Sequence, residues 1–196
     1  LGRDAITRLF RIRLVDKEDP IDYTGAPAGP GVFAGGGEVV DHCAKDEGKT
    51  PTDDMPFGAR VVAWSLCWLG TPYRWGGGNY SGPAVGFCCS PSGGDGSIGP
   101  GFDCSGLTMY AVYQASKGRI ALPHYTVTQD SDPRGQRVPI TALQAGDLLF
   151  FGAVGAPHHV AIYYGDGKMV EAQQTGVPVK ISSLADRGLT EARRFG

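Results

Sequence analysis

The sequence predicts an α+β fold in which helices pack on a small antiparallel sheet. Two helical patterns come first, near residues 56–70 and 103–116, and a series of strand-like segments follows them. Helices and strands that are segregated along the chain in this way are typical of α+β domains. An Asp-Gly turn at 166–167 joins two of the strand segments and predicts an antiparallel pair there.

The first helix is predicted by the segment PFGARVVAWSLCWLG. Pro56 suits a helix start, Gly70 suits the stop, and the apolar residues between them form one buried side. The second helix has its apolar residues at helical spacing and closes at Gly118. A short helix is predicted at 125–130. Strands are predicted in DLLFFGAV, HHVAIYYG, KMVEAQQ and VPVKIS.

Length and composition bound the organisation of the chain. Its 196 residues suffice for one domain with extra segments, and residues 56–196 are predicted to form it. Residues 1–55 contain the segment AITRLFRIRLV near their start, and the rest of them is rich in glycine, proline and acidic residues. We expect an N-terminal extension or linker there. A Gly/Ser/Pro-rich loop at 79–101 is inserted in the domain, and a loop of that length is usually functional.

Charge and hydropathy exclude some partners. The formal net charge of −2 creates no broad positive field, so nucleic acid is not expected as a partner. No apolar run approaches the roughly 20 residues that cross a bilayer, so no membrane span is expected in this chain. Because the chain begins with Leu1, we expect a fragment or a processed form whose export signal or anchor lies outside it.

Cys104 is the candidate nucleophile. It lies at the first turn of the second helix, where free backbone N–H groups and the positive end of the helix dipole stabilise a thiolate. The same N–H groups can stabilise an oxyanion. The alternative is a structural cysteine, which is the commoner role for an isolated one.

A thiolate nucleophile needs a base and a group that orients the base, and HHVAIYYGDGKMVEA supplies candidates for both. His159 opens an alternating strand, and a hairpin at 165–167 brings Glu171 roughly opposite it. The alternative is a strand-edge histidine beside a solvated glutamate. His158 should point to the other face, which makes it a poorer base and makes a two-histidine metal site unlikely.

Five motifs then occur in one order over residues 56–181: GTPYRWGG, FDCSGL, LPHYTVTQ, AGDLLFF and HHVAIYYGDGKMVEA. In these the sequence resembles the NlpC-type cell-wall cysteine endopeptidases, a papain-like family. The resemblance implies a nucleophile at a helix N-terminus facing a small sheet, and cleavage of peptide bonds in bacterial peptidoglycan stems, commonly D-γ-glutamyl–diaminopimelate. It implies no cofactor, stem peptides as partners, a secreted or cell-envelope location and a monomer.

The resemblance also assigns the catalytic groups. It implies Cys104 as nucleophile, His159 as base and Glu171 as the third polar residue, where many relatives carry histidine. Tyr73 matches the tyrosine whose hydroxyl assists the oxyanion site.

Four further positions are expected to contact or border the substrate. Asp103 and Ser105 match positions that line the substrate pocket, although Asp103 also suits a helix N-cap. His124 matches a position at the cleft rim, and Trp75 is expected in the cleft wall more than as a carbohydrate platform.

The five cysteines predict two disulfides and one free thiol in an oxidising compartment. We expect Cys88 and Cys89 to be bonded to Cys43 and Cys67 in one of two connectivities, because a disulfide between adjacent cysteines strains the backbone. Five reduced thiols in a cytosolic protein are the alternative. A zinc site is disfavoured, since no pair has C-x-x-C spacing.

Two other functions compete with stem-peptide cleavage. One is a related hydrolase, such as a CHAP-type amidase or a papain-like enzyme acting on lipids or proteins. The other is a catalytically silent domain that binds wall peptides or scaffolds a secretion or conjugation system, which the intact Cys104, His159 and Glu171 disfavour. Whether residues 1–55 or 79–101 cover the cleft is left open by the sequence.

Overall fold

The computed structural model describes residues 39–44, 50–91 and 93–196. Most of the predicted extension at 1–55 therefore lies outside the described residues, and its role as a linker stays a prediction. Within the described ranges, no helix combines the length and the apolar character that crossing a bilayer requires.

The described residues contain the three predicted helices. They are α1 (Phe57–Leu66), α2 (Cys104–Ala115) and α3 (Thr126–Asp130), and two 3-10 turns lie at Gly96–Ile98 and Ile140–Ala142. Pro56 caps α1 at its N-terminus, and Gly70 follows it with a φ of 84°, a conformation that favours glycine. The predicted starts and stops of the two long helices are thus correct to within a few residues.

A six-stranded antiparallel sheet follows, in the order β3-β8-β4-β5-β6-β7. Its strands are β3 (Gln136–Arg137), β4 (Leu148–Ala153), β5 (Ala156–Gly165), β6 (Lys168–Glu171), β7 (Lys180–Ser183) and β8 (Leu189–Arg194). The sequence predicted β4 to β7, and the antiparallel α+β architecture is confirmed. It missed the short edge strand β3 and also β8, which lies between β3 and β4 and pairs with both.

The two faces of the sheet are both buried. On one face, Phe150, Val160 and Ile162 pack with apolar residues of α1 and α2 in the main core. On the other face, a smaller apolar cluster contains Phe151 and Met169. Because successive side chains on a strand alternate between faces, His159 and Glu171 lie on the side of this smaller cluster.

The inserted loop at 79–101 contains regular pieces. Two short strands, β1 (Ala84–Val85) and β2 (Pro100–Gly101), pair antiparallel across it, and the first 3-10 turn lies between them. The loop therefore returns to its starting point immediately before the N-cap of α2. This closure places the insertion beside the first turn of that helix.

The count of two disulfides and one free thiol is confirmed, but the predicted pairing is wrong. Cys43 is bonded to Cys67 with a Cα–Cα distance of 5.1 Å, Cys88 is bonded to Cys89, and Cys104 is free. Cys43 and Cys67 are both buried, and beside them the His42 backbone N–H donates to the Cys67 carbonyl at 2.9 Å. The adjacent pair is exposed on the insertion, in a different environment.

Candidate active site

Cys104 is the first residue of α2, where the sequence predicted it. The Asp103 side chain caps the helix by accepting from the Gly106 N–H at 2.7 Å. Gly106 has to be glycine, because a Cβ there would overlap the Gly77 carbonyl oxygen. The loop that carries Tyr73 and Gly77 therefore packs directly on the helix turn that presents the thiol.

Asp103 connects this turn to three neighbours. Its Oδ1 also accepts from Ser105 Oγ at 3.1 Å and contacts His124 Nε2 at 2.8 Å, and its Oδ2 accepts from the Gly76 N–H at 3.0 Å. Both carboxylate oxygens are thus engaged within the protein. The helix-cap role of Asp103 is present in the structure, and it fixes the two predicted substrate-contacting side chains, Ser105 and His124, beside Cys104.

The β5–β6 hairpin brings His159 and Glu171 together. Ile162 pairs with Val170 and Tyr163 with Met169, so Glu171 follows on the same face and slightly diagonal to His159. His159 Nε2 lies 2.8 Å from Glu171 Oε2, which leaves Nδ1 as the ring nitrogen available to the thiol. The cross-strand juxtaposition that the sequence predicted is therefore present.

Cys104 and Glu171 both change the charge state of His159. Burial lowers the pKa of the imidazole, but the nearby Cys104 and the hydrogen bond with Glu171 outweigh it and raise this pKa to about 9. Burial raises the pKa of the Glu171 carboxyl, but hydrogen bonds from His159, Arg187 and Ser182 lower it to about 2. The pair is thus an imidazolium and a carboxylate at neutral pH.

Tyr73 lies at the same centre. Burial, together with the nearby Cys104 and Asp103, raises the pKa of the phenol, so the hydroxyl stays protonated. A protonated phenol beside the nucleophile can donate to a developing oxyanion. The family resemblance implied this position for Tyr73.

A cleft of about 800 Å³ opens in front of Cys104. It is bordered by every site residue that the sequence predicted apart from Glu171, which is fully buried behind His159: Tyr73, Trp75, Asp103, Cys104, Ser105, His124 and His159. A volume of this size is typical of clefts that enclose small ligands. The fold therefore brings these side chains together on one accessible surface.

Sequence reasoning missed several groups of this site. Arg187, on the turn between β7 and β8, donates to both oxygens of Glu171, and Ser182 donates to Oε1. Thr126 Oγ1 lies 3.7 Å from Cys104 Sγ. Arg187 is 16 residues from its partner and has no periodic neighbours, so no local signal points to it, whereas the alternation of β7 could have indicated Ser182.

His158 requires a correction. It was expected on the face opposite His159, yet it also borders the cleft. The β4–β5 register shifts between Phe151 and Gly152, so strict alternation fails at this point. His159 remains distinct because it is buried and bonded to Glu171, whereas His158 is exposed.

The described residues contain one group of three potential metal ligands, Asp41, Cys43 and Cys67. Both of its sulfurs are joined in a disulfide and cannot act as thiolates. The group therefore lacks the thiolate donors that a zinc site requires.

A sequence model of the NlpC/P60 family matches residues 70–194. The peptidoglycan endopeptidase RipA of Mycobacterium tuberculosis is 38% identical over 130 residues, which are 66% of this chain and 25% of RipA. The chain therefore spans about a quarter of the length of this relative.

Solved structures give the same result. A structure of RipA mutated at a histidine has a TM-score of 0.61 and 35% identity over 71% of this chain and 62% of that one. RipD of Mycobacterium tuberculosis, described as a non-catalytic NlpC/p60 domain protein adapted to peptidoglycan binding, has a TM-score of 0.59 and 32% identity over 71% of this chain and 98% of that one. This chain belongs to the NlpC/P60 family.

Proposed function

We propose that this chain is a cysteine endopeptidase that hydrolyses an amide bond in the stem peptides of bacterial peptidoglycan. Cys104 is the nucleophile, His159 the general base and acid, and Glu171 the group that orients and balances His159. The observation that carries the proposal is the buried His159–Glu171 pair placed against the free thiol at the N-terminus of α2.

The reaction follows thiol-protease chemistry. The Cys104 thiolate attacks the carbonyl carbon, and the oxyanion accepts hydrogen bonds from the first N–H groups of α2 and the Tyr73 hydroxyl. His159 donates its proton to the leaving amine, and the C–N bond breaks to give a thioester. A water molecule, deprotonated by the now neutral His159, attacks the thioester, and the C–S bond breaks. The Cys104 thiolate and the His159 imidazolium are restored, and the product acid loses its proton to solvent as it leaves.

The substrate-contacting side chains are Trp75, Ser105 and His124, with Asp103 holding the last two in place. Asp103 borders the cleft, and its Oδ2 accepts one hydrogen bond, from the Gly76 N–H, so it can also accept from an amine of the substrate. The scissile bond in this proposal is D-γ-glutamyl–diaminopimelate, and the protein acts as a monomer. Action outside the cytoplasm agrees with the disulfide content and with the cell-wall relatives.

A second candidate is peptidoglycan binding without cleavage. It is favoured by the similarity to RipD, whose structure is described as non-catalytic. A binding domain has no need of a charged histidine and carboxylate beside a free thiol, and the structural relatives include RipA mutated at a cysteine, a histidine or a glutamate. We therefore favour catalysis.

Digestion of purified peptidoglycan, followed by mass spectrometry of the soluble products, tests the proposal. The wild-type protein should release fragments cut between glutamate and diaminopimelate, and Cys104→Ala should release none. Products cut at the sugar–alanine amide would indicate an amidase. Sedimentation of the protein with peptidoglycan and no released fragment would indicate a binding domain.

A further inference from the structure

We propose that Arg187 is a positioning residue of the catalytic centre, which orients the Glu171 carboxylate and balances its charge while His159 gains and loses its proton. The inference rests on the proposed function for its catalytic consequence. Its structural basis, the contact between two charged side chains, is independent of the substrate.

The Glu171 carboxylate is shared between two cations. His159 Nε2 lies 2.8 Å from Oε2, Arg187 Nη2 donates to the same oxygen at 2.9 Å, and Arg187 Nη1 donates to Oε1 at 2.9 Å. Ser182 Oγ also donates to Oε1. Glu171 has no exposed surface, so these contacts replace all of its hydration.

The turn between β7 and β8 places Arg187 beside Glu171. Arg187 lies between Asp186 and Gly188, whose φ angles of 59° and 71° reverse the chain between β7 and β8. The guanidinium lies over the Phe151 ring, 6.0 Å from its centroid, and the same ring lies 5.5 Å from the His159 imidazole. Phe151 thus keeps the two cations on defined sides of the carboxylate.

The contact between Arg187 and Glu171 matters when His159 loses its proton in the proposed reaction. His159 must become neutral when it protonates the leaving amine. Without Arg187, Glu171 would then be a fully buried carboxylate without a cation, which is a strongly unfavourable state. With Arg187 in place, the carboxylate keeps a partner in both protonation states of His159, and the imidazolium holds its proton less tightly.

Other ionisable groups face the same centre. They are Cys104 and Asp103 on the α2 turn, Tyr73 on the preceding loop, His124 and His158 at the cleft, and Lys180, which pairs with Glu171 in the β6–β7 register. Arg187 is distinguished from them because it bonds both oxygens of Glu171.

Titration of the histidine side chains by NMR tests the inference without any substrate. The chain has only 4 histidines, so their signals can be resolved, and a His159→Ala variant identifies the signal of His159. In Arg187→Met the His159 midpoint should rise by about one pH unit. Arg187→Lys, which keeps the charge but not the two-pronged contact, should leave it near the wild-type value. Arg194→Met removes a similar arginine from the Asp147 pair and should not move it.

Turnover of a soluble stem peptide supplies the second readout. Arg187→Met and Arg187→Lys should both lower kcat by about tenfold or more with little change in KM, because the carboxylate loses its fixed orientation. If Arg187→Met does not fold, Arg187→Gln carries the same expectations. An unmoved His159 midpoint in a folded, uncharged variant overturns the inference, whereas absence of wild-type turnover overturns only the proposed function.

Discussion

The proposed catalytic centre and the inserted loop at 79–101 lie beside the same cleft but are built in different ways. Cys104, His159 and Glu171 lie on the first turn of α2 and on two paired strands, and the last two are buried. The insertion instead exposes apolar side chains, with Val85, Phe87 and Ile98 each more than half exposed. A helix and two paired strands therefore position the proposed catalytic side chains, while the irregular insertion forms one wall of the cleft.

The insertion is nonetheless firmly attached beside the centre. The Phe87 N–H donates to the Trp75 carbonyl at 3.0 Å, and its ring lies against Gly76, where a Cβ would overlap it. The Phe87 and Trp75 rings meet edge-on with centroids 6.5 Å apart. Phe87 thus forms a side wall of the cleft. The hypothesis that residues 1–55 cover the cleft concerns a segment that mostly lies outside the described residues.

The largest expected effect is loss of the nucleophile. Cys104→Ala should abolish turnover of a soluble stem peptide, because no other described thiol is free, while the free energy of unfolding changes by less than about 1 kcal/mol. His159→Ala should be comparably inactive. His158→Ala is the matched control and should retain most activity, and the reverse result for the two histidines would contradict the assignment of the base.

Glu171→Gln should cause the next largest effect. The kcat of Glu171→Gln should remain about 10- to 100-fold above that of Cys104→Ala, because Glu171 orients the base and does not react. Chemical unfolding should also show a destabilisation of about 3 kcal/mol, since Arg187 and an imidazolium lose their shared anion. Unchanged activity would mean that another group holds His159.

The pH dependence follows from the same pair. The raised pKa of His159, about 9, contributes stability that is complete below about pH 6.5 and is lost as the pH rises through 9. The lowered pKa of Glu171, about 2, contributes stability that is present above about pH 4.5 and is lost as the pH falls towards 2. Urea unfolding across this range should show both losses.

The value of kcat/KM should fall at high pH as His159 loses its proton. The imidazolium that protonates the leaving amine disappears near pH 9, so kcat/KM should fall there. A basic limb near pH 6.5 would show that His159 is not held by Cys104 and Glu171.

The two disulfides should differ in their effect on stability. Replacing Cys43 and Cys67 with serine opens a cross-link over a sequence separation of 24 and should cost about 3 kcal/mol, with kcat nearly unchanged below the unfolding transition. Replacing Cys88 and Cys89, which are adjacent, should cost much less. Thermal unfolding of the two double variants decides this, and equal losses would contradict it.

The smallest expected effect is in the insertion. Phe87→Ala should raise KM for a stem-peptide substrate by about fivefold and leave kcat within twofold, because the ring borders the cleft but lies outside the catalytic pairs. Ile98→Ala, an exposed residue of the same insertion that does not border the cleft, is the matched control. A large fall in kcat for Phe87→Ala would mean that the insertion takes part in the chemistry.

The difference between the two regions also explains what the sequence could predict. The patterns of α2 and of strands β4 to β6 placed Cys104 at a helix start and His159 and Glu171 on one hairpin, and the family resemblance then assigned their roles. Strand β8 was missed because its charges hide the pattern: Arg193 pairs with buried Asp130 at 3.1 Å, a partner 63 residues away. Such distant ion pairs leave no periodic signal.

The pairing of cysteines was the other failure. The general cost of joining adjacent cysteines argued against Cys88–Cys89, but the choice depends on which cysteines the fold brings together. Cys67 ends α1 and meets the segment that carries Cys43, a contact set by the His42 hydrogen bonds to Cys67 and Leu69. Only the tertiary arrangement supplies that information.

Detection of a covalent intermediate tests the central claim most directly. The protein is mixed with a soluble stem peptide, quenched in acid within the first turnover and digested, and the fragment that contains Cys104 is weighed by mass spectrometry. The account predicts a mass increase equal to the acyl half of the substrate on Cys104 in the wild type, and none in Cys104→Ala. Substrate cleavage without an adduct, and with Cys104→Ala still active, would contradict it.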